Sequence, residues 1–270
     1  MTVKPNSKKL AALYEKYGII VILILEVIFF SIKSPTFLKL DNILLVSRQV
    51  SFYGIAAVGM TMVLLVGEID ISVGSILAFS GCLSAVLITK AAVPVALACL
   101  IAIVISTFFG LLSGTLTTIC KVPSLIATLA MQIIIKGCTY LMTGGTAVSG
   151  LPDNFKFMGQ GFLLGRIPVP VVVWLVIFLL GLFVLNKTYI GRRIYAVGGN
   201  KEAARLSGIK TTGIVIGTFV CSAFVAGISG TLMAARLGSG MASVGSDFAM
   251  DVLTASVLGG VSLQGGKGNA

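Results

Sequence analysis

The chain has 270 residues, of which 57% are hydrophobic and 11% are charged, and its mean hydropathy is +1.06. About a quarter of the residues of a soluble domain are charged, so this composition excludes an ordinary soluble protein and predicts a helical membrane domain. The net charge of +11 comes mostly from bases between apolar runs, which is typical of cytoplasmic loops and argues against nucleic-acid binding. The chain has no histidine, and none of its five cysteines forms a CxxC pair, so neither a metal site nor a histidine-based catalytic site is predicted.

The N-terminus places basic residues before the first apolar run. Four lysines precede residues 18–32, and no small-residue cleavage site follows them. This pattern predicts an uncleaved first span. Residues 1–17 are then a cytoplasmic tail, and 18–270 form the membrane domain.

The apolar runs that follow predict an all-α, polytopic bundle. Judged by length and flanking charge, the further candidate spans are 48–66, 72–89, 93–119, 123–142, 168–186 and 213–235, with another apolar segment near 248–264. About eight spans are therefore expected. The small-xxx-small patterns at Gly110–Gly114 and Gly213–Gly217 predict places where helices approach closely.

Between the second and third spans, two carboxylates interrupt the apolar sequence. Glu68 and Asp70 lie in the segment Gly67–Gly74, which also contains Ser72. In one interpretation they form a gate or a half-helix end near a translocation path, with Ser72 as the N-cap of the next helix. In the other, they belong to a short surface loop whose acids cap that helix. The sequence leaves both interpretations open.

Two long loops differ in charge. Residues 143–167 contain glycine, proline and apolar residues, and could include a re-entrant piece. Residues 187–212 are strongly basic, so this loop is predicted to be cytoplasmic. Six predicted spans separate it from the basic N-terminus, and this even number agrees with both being cytoplasmic.

The basic loop 187–212 contains a short helix with a start and a stop signal. Asn200 is a suitable N-cap, the segment from Lys201 to Leu206 is amphipathic, and Gly208 is a C-terminal stop. Small residues on a short surface helix favour docking in a groove of a soluble partner, although a solvated connector is the alternative.

The C-terminal segment does not form a phosphate-binding loop. The pattern G-x-x-x-x-G-K-[ST] ending at Lys267 would need glycine at Val261 and a hydroxyl residue at Gly268. Any ATP-driven role therefore needs a separate ATPase chain, and nothing in the sequence supports an enzyme. Residues 259–270 are predicted to be a helix end followed by a loop that leads to no further element, with a C-terminal part expected beyond it.

Several segments resemble the ribose/xylose/galactoside-type permeases of binding-protein-dependent ABC importers. Glu202-Ala203-Ala204 with Gly208 resembles their cytoplasmic EAA-x-x-x-G signature. The matching segments, in family order, are Gly67–Ser80, Pro123–Gly145, Gly191–Gly208 and Asp251–Gly268. Glu68 departs from the second glycine that many members have, and the last one or two spans of the family are missing here.

The resemblance implies a permease dimer of identical or different subunits, a cytoplasmic ABC ATPase and an extracytoplasmic solute-binding protein. Its coupling residues are Glu202, Ala203, Ala204, Arg205 and Gly208. The implied location is the bacterial inner membrane, with a cytoplasmic N-terminus and no cofactor in this chain. The sequence does not distinguish a pentose, hexose, autoinducer-like furanose or nucleoside as the solute.

An alternative function from a different class is ion-coupled secondary transport. Glu68, Asp70 or Glu26, an acid inside the first apolar run, would then be the coupling group. Glu26 itself is predicted to be a buried, hydrogen-bonded acid rather than a coupling site. A purely structural membrane protein is a third interpretation, and it predicts no solute flux.

Overall fold

The computed structural model describes residues 5–268, and its side chains are described from Ile20 onward. The elements are α1 (Pro5–Lys33), α2 (Leu40–Leu65), α3 (Val73–Thr89), α4 (Val95–Thr118), α5 (Ser124–Thr143), α6 (Asp153–Gln160), β1 (Phe162–Leu163), β2 (Ile167–Pro168), α7 (Val169–Lys187), α8 (Tyr189–Gly199), α9 (Lys201–Leu206), α10 (Thr211–Leu237), a 3₁₀ turn (Ala242–Gly245) and α11 (Phe248–Leu258). The prediction of an all-helical protein is confirmed, because β1 and β2 form only a small antiparallel hairpin.

Five helices in the described part of the chain are long and apolar enough to cross a membrane, namely α2, α4, α5, α7 and α10. Helix α3 is equally apolar but has only 17 residues. The segment predicted near 248–264 is helical only over the 11 residues of α11, about 16 Å at 1.5 Å per residue, which is half the thickness of a bilayer core. The number of eight spans is therefore not confirmed.

The chain divides into two compact units, Met1–Ser47 and Arg48–Ala270. In the first unit, α1 begins at Pro5, within the predicted tail, and residues 1–4 lie outside the described part. Its apolar side chains from Ile20 to Ile32 are exposed, as a lipid-facing helix requires. Glu26 is exposed among them, so the prediction that it is buried was wrong.

In the second unit, α10 is the central helix and packs against α3, α4 and α6. A Cβ atom on Gly110 of α4 would lie 2.6 Å from the Ala223 Cβ, and one on Gly114 would lie 2.9 Å from the Ile216 Cα. The predicted close approach at Gly110–Gly114 is confirmed. Gly213 and Gly217 have no atom within 4 Å of such a Cβ, so the second pattern does not mediate helix packing among the described residues.

Helices α3 and α11 both begin inside the bundle. A Cβ on Gly74, in the first turn of α3, would lie 3.3 Å from the Ala249 backbone nitrogen and would clash with the Gly245 carbonyl oxygen. Only glycine allows the two backbones to touch in this way. The irregular segments before these helices, residues 66–72 and 238–247, are therefore packed among spanning helices.

The loop 143–167 forms surface structure. It contains α6 and the β1–β2 hairpin, and it is tied to the end of α10 by a bridge in which the Val148 amide donates to the Gly240 carbonyl at 2.9 Å. Phe155 of α6 is fully buried. This end of the bundle is where α10 ends, opposite to α8 and α9, which precede its start.

Candidate functional site

Helix α8 is an amphipathic helix that lies against the bundle. Thr188 caps it, since the Thr188 hydroxyl oxygen accepts from the Gly191 amide at 3.3 Å. Gly191, Ile194 and Val197 are buried at a helical spacing, whereas Arg192 is exposed. The apolar stripe fixes the helix to the core and leaves the basic face accessible.

Helix α9 has the start and stop that the sequence predicts. The Asn200 side-chain oxygen accepts from the Ala203 amide at 2.9 Å, as an N-cap does. Gly208 has a φ of +82°, a conformation that glycine adopts without strain, and its amide donates to the Arg205 carbonyl at 3.0 Å. The helix is therefore pre-formed at both ends.

One side of α9 is anchored and the rest is free. Ala204 is buried as part of the main apolar core, while Glu202, Ala203, Arg205 and Leu206 are exposed. Glu202 and Arg205 form an exposed ion pair of 2.7 Å. Leu206 is 79% exposed, an apolar side chain of a helix surface available to a partner.

An ion pair joins α9 to the loop between α2 and α3. The Lys201 Nζ lies 3.2 Å from the Glu68 Oε1, and the Glu68 side chain is only 16% exposed. Both residues border a cleft of about 380 Å³, which is also lined by residues 117–118, 121–124 and 212. Glu68 therefore turns toward the predicted coupling helix and not toward Asp70.

Asp70 is fully buried and is held by hydroxyl groups. Its Oδ1 accepts from the Ser72 hydroxyl at 2.5 Å and from the Ser72 amide at 3.0 Å, and its Oδ2 accepts from the Ser222 hydroxyl of α10 at 3.0 Å. A buried carboxylate is stable only with such partners. Ser222 lies about 16 Å along α10 from its start, so the cluster is deep in the bundle.

Ser72 immediately precedes α3 but does not cap it through its side chain. Its backbone is in the right-handed helical region, and no side-chain capping hydrogen bond forms. An N-cap accepts a backbone N–H through its side-chain oxygen from a typically extended backbone, and the helical backbone of Ser72 does not fit this geometry. The Ser72 hydroxyl instead donates to Asp70. Ser72 therefore occupies the N-cap position that one interpretation predicted, but it does not form the capping hydrogen bond.

The loop around Asp70 also contacts α5. The Ile69 amide donates to the Ser124 hydroxyl oxygen, and the Ile71 amide donates to that of Thr128, both at 3.2 Å. The loop thus bonds to α10 through Asp70 and to α5 through its backbone. A contiguous set of contacts runs from α9 through Glu68 and this loop to two spanning helices.

The glycine-rich segment 262–268 packs against the same region. The Gly266 amide donates to the Leu65 carbonyl at the end of α2, at 2.9 Å. The Tyr195 hydroxyl of α8 donates to the Gly268 carbonyl at 3.1 Å, and burial raises the pKa of this phenol. The sequence suggested a loop with no further element to join, whereas this segment fills the space between α2 and α8.

Sequence analysis missed two parts of this region. Ser222 carried no signal, because a serine in an apolar helix is ordinary. The role of residues 262–268 could have been inferred from their glycine density, since glycine permits close backbone approach. Among residues 5–268, no three metal-ligating side chains come together.

Long apolar helices, a buried acid among them and a capped, partly free helix on a basic loop define a multi-pass membrane protein of the transport class. A family model described as the permease component of the branched-chain amino acid transport system matches residues 42–267. The chain belongs to this permease family.

Its curated relatives include sugar permeases. The ribose import permease protein RbsC of Bacillus subtilis is 40% identical over 94% of this chain and 79% of the relative. RbsC of Haemophilus influenzae is 38% identical over 95% of the chain and 80% of the relative, and the L-arabinose ABC transporter permease protein AraH of Azospirillum brasilense is 37% identical over 94% and 74%. The resemblance to sugar permeases is confirmed. No solved structure matches the chain.

Proposed function

We propose that this chain is the membrane-spanning subunit of an ATP-driven importer for a sugar or sugar-like solute. A cytoplasmic ABC ATPase binds and hydrolyses the ATP, a solute-binding protein delivers the solute from outside, and a second permease subunit completes the path. The relatives named for ribose and arabinose import support the solute class. This function needs no enzyme chemistry in the chain itself.

The observation that carries the proposal is the geometry of α9. Its caps hold it in helical form, Ala204 anchors it to the core, and Glu202, Ala203 and Arg205 face outward. Such a helix can enter a groove of a soluble ATPase without first folding, so the ordering cost of docking is small. The basic composition of 187–212 supports a cytoplasmic position for this loop, and by parity for the N-terminus.

The contacts of α9 suggest how ATPase motion reaches the spanning helices. A displacement of α9 would act on Glu68 through Lys201, and then on the loop that bonds to Ser124 and Ser222. Asp70 and Ser72 serve in this mechanism as a buried joint between the loop and α10. Alternating access would follow when α5 and α10 move relative to the second subunit.

Co-purification with the ATPase encoded beside the permease tests the proposal. Glu202→Ala removes the exposed acid, and Gly208→Ala strains the helix end because alanine disfavours a φ of +82° by about 1 kcal/mol. Both should weaken association by about fivefold or more. Lys90→Ala, an exposed charge change after α3 at the opposite end, should leave association unchanged. Unaltered association in both α9 variants would contradict the coupling role.

The burial of Asp70 favours a second candidate function, ion-coupled secondary transport. A carboxylate deep among spanning helices is a common coupling group in such transporters. This candidate predicts that an uncoupler abolishes solute uptake at constant ATP. ATP-driven import predicts uptake that survives the uncoupler and stops when ATP is withdrawn.

A further inference from the structure

A small polar cavity lies between α3, α5 and the 3₁₀ turn, separate from α9 and from the Asp70 cluster. We call it the polar cavity, and it is lined by the polar residues Ser75, Gln132, Lys136, Thr139 and Ser246, together with Ala78, Ala242 and Gly245. Its volume of about 30 Å³ is enough for a water molecule but not for a sugar.

The polar residues of α5 lie at a depth where lipid contact is costly. At 1.5 Å per residue, Gln132 is about 12 Å and Lys136 about 18 Å from the start of this 20-residue helix. A lysine in the centre of a spanning helix costs roughly 3 kcal/mol when it faces lipid. Lys136 is exposed and forms no ion pair with any residue of the described range.

The opposite face of α5 has the composition that lipid favours. Ile134 is 54% exposed and Leu141 86% exposed, and at 100° per residue they project about 160–180° away from Gln132. Lipid and an aqueous space can therefore contact different faces of the same helix. Gln132 and Lys136 lie on the same face of α5. A shared polar face indicates an aqueous space beside the helix and argues against a lysine placed there by chance.

The backbone around the polar cavity is irregular at the same depth. Ser75 is in the first turn of α3, and Ser246 lies between the 3₁₀ turn and α11, where Gly74 and Gly245 touch. Non-helical backbone within a membrane is tolerated only where it is buried in protein or lines a water-filled cavity. Discontinuous helices are also the usual location of solute sites in transporters.

We propose that the polar cavity forms one wall of the solute path and binds an uncharged, polyhydroxylated solute. This inference rests on the proposed function. The Lys136 ammonium and the Gln132 amide donate hydrogen bonds to solute hydroxyls, while the amide oxygen and the serine hydroxyls accept them. A mixture of donors and acceptors fits hydroxyl groups, which both donate and accept hydrogen bonds. The second permease subunit supplies the opposite wall.

Cysteine labelling in the complete importer, in membrane vesicles, tests the proposal without knowledge of the solute. The five native cysteines are replaced by alanine, and single cysteines are introduced as Gln132→Cys, Lys136→Cys and the matched control Ile134→Cys. A charged, water-soluble methanethiosulfonate reacts with the thiolate, which forms in water and not in lipid. Gln132→Cys and Lys136→Cys should react at least about tenfold faster than Ile134→Cys. Equal rates at positions 132 and 134, or no reaction at both path positions, would overturn the proposal.

Trapping the ATPase with vanadate distinguishes a path from a static aqueous pocket. The labelling rates of Gln132→Cys and Lys136→Cys should change severalfold on trapping, while that of Ile134→Cys stays constant. Unchanged rates at all three positions in a complex that hydrolyses ATP would overturn the assignment to the path. Failure of the permease to assemble with the ATPase would instead count against the proposed function, so the two failures are separable.

Discussion

Substituting alanine for Gly198 should separate α8 from the end of α2. A Cβ at this position would lie 2.5 Å from the Gly266 nitrogen, 2.9 Å from the Leu65 carbonyl carbon, and closer still to the Leu65 oxygen. All three are backbone atoms, so the segments must move apart. Overpacking of this kind costs about 1–3 kcal/mol, and loss of the hydrogen bond from Gly266 to Leu65 adds about 1 kcal/mol.

This cost should appear as a fall in the unfolding temperature of the purified protein in detergent, by roughly 5–10 °C for a chain of this size. The neighbouring Gly199 provides the control, since no atom lies within 4 Å of its added Cβ and its φ is not in the left-handed region. Gly199→Ala should leave the unfolding temperature unchanged or raise it slightly. If the two variants unfold at the same temperature, residues 262–268 do not pack between α2 and α8 as described.

Three further outcomes are expected from the same unfolding assay. Asp70→Leu leaves two buried serine hydroxyls without their acceptor and should destabilise the protein by about 1–3 kcal/mol. Asp70→Asn keeps an acceptor oxygen and should cost less. Equal losses of stability in the two variants would contradict the role of these hydrogen bonds. Lys201→Ala should change the unfolding free energy by at most about 1 kcal/mol, because its pair with Glu68 is partly exposed, and a larger loss would mean that the pair is structural. Gly110→Ala should destabilise the protein by about 1–3 kcal/mol, because the added Cβ clashes with α10. Gly137→Ala should not destabilise it, because the space around Gly137 is open. A larger loss of stability for Gly137→Ala than for Gly110→Ala would refute the α4–α10 packing.

The sequence predicts the local features of this protein well because local signals determine them. Asn200 and Gly208 fix the limits of α9 through capping and a positive φ, and both are recognisable without a structure. The apolar runs likewise predict the long helices, since length and composition are sufficient for a spanning helix. Gly110 and Gly114 were also correctly assigned to close helix packing.

The long-range features could not be predicted, because they depend on which segments meet. The partner of Asp70 is Ser222, far along the chain, and the partner of Glu68 is Lys201. Equivalent glycine patterns also behave differently, since Gly217 faces open space. The length of α11 was also not predicted, because the apolar segment near 248–264 continues past the end of the helix at Leu258.

A photo-crosslink from α9 tests the central claim most directly. A benzoylphenylalanine at Leu206, which is 79% exposed, should form a covalent link to the ATPase in membranes that contain the whole importer. The same residue at Leu164, which is 94% exposed in the hairpin at the opposite end of the bundle, should not. A coupling helix predicts a crosslink to the ATPase from position 206 and none from position 164. An intact complex with no crosslink from Leu206, or with equal crosslinks from both positions, would contradict it.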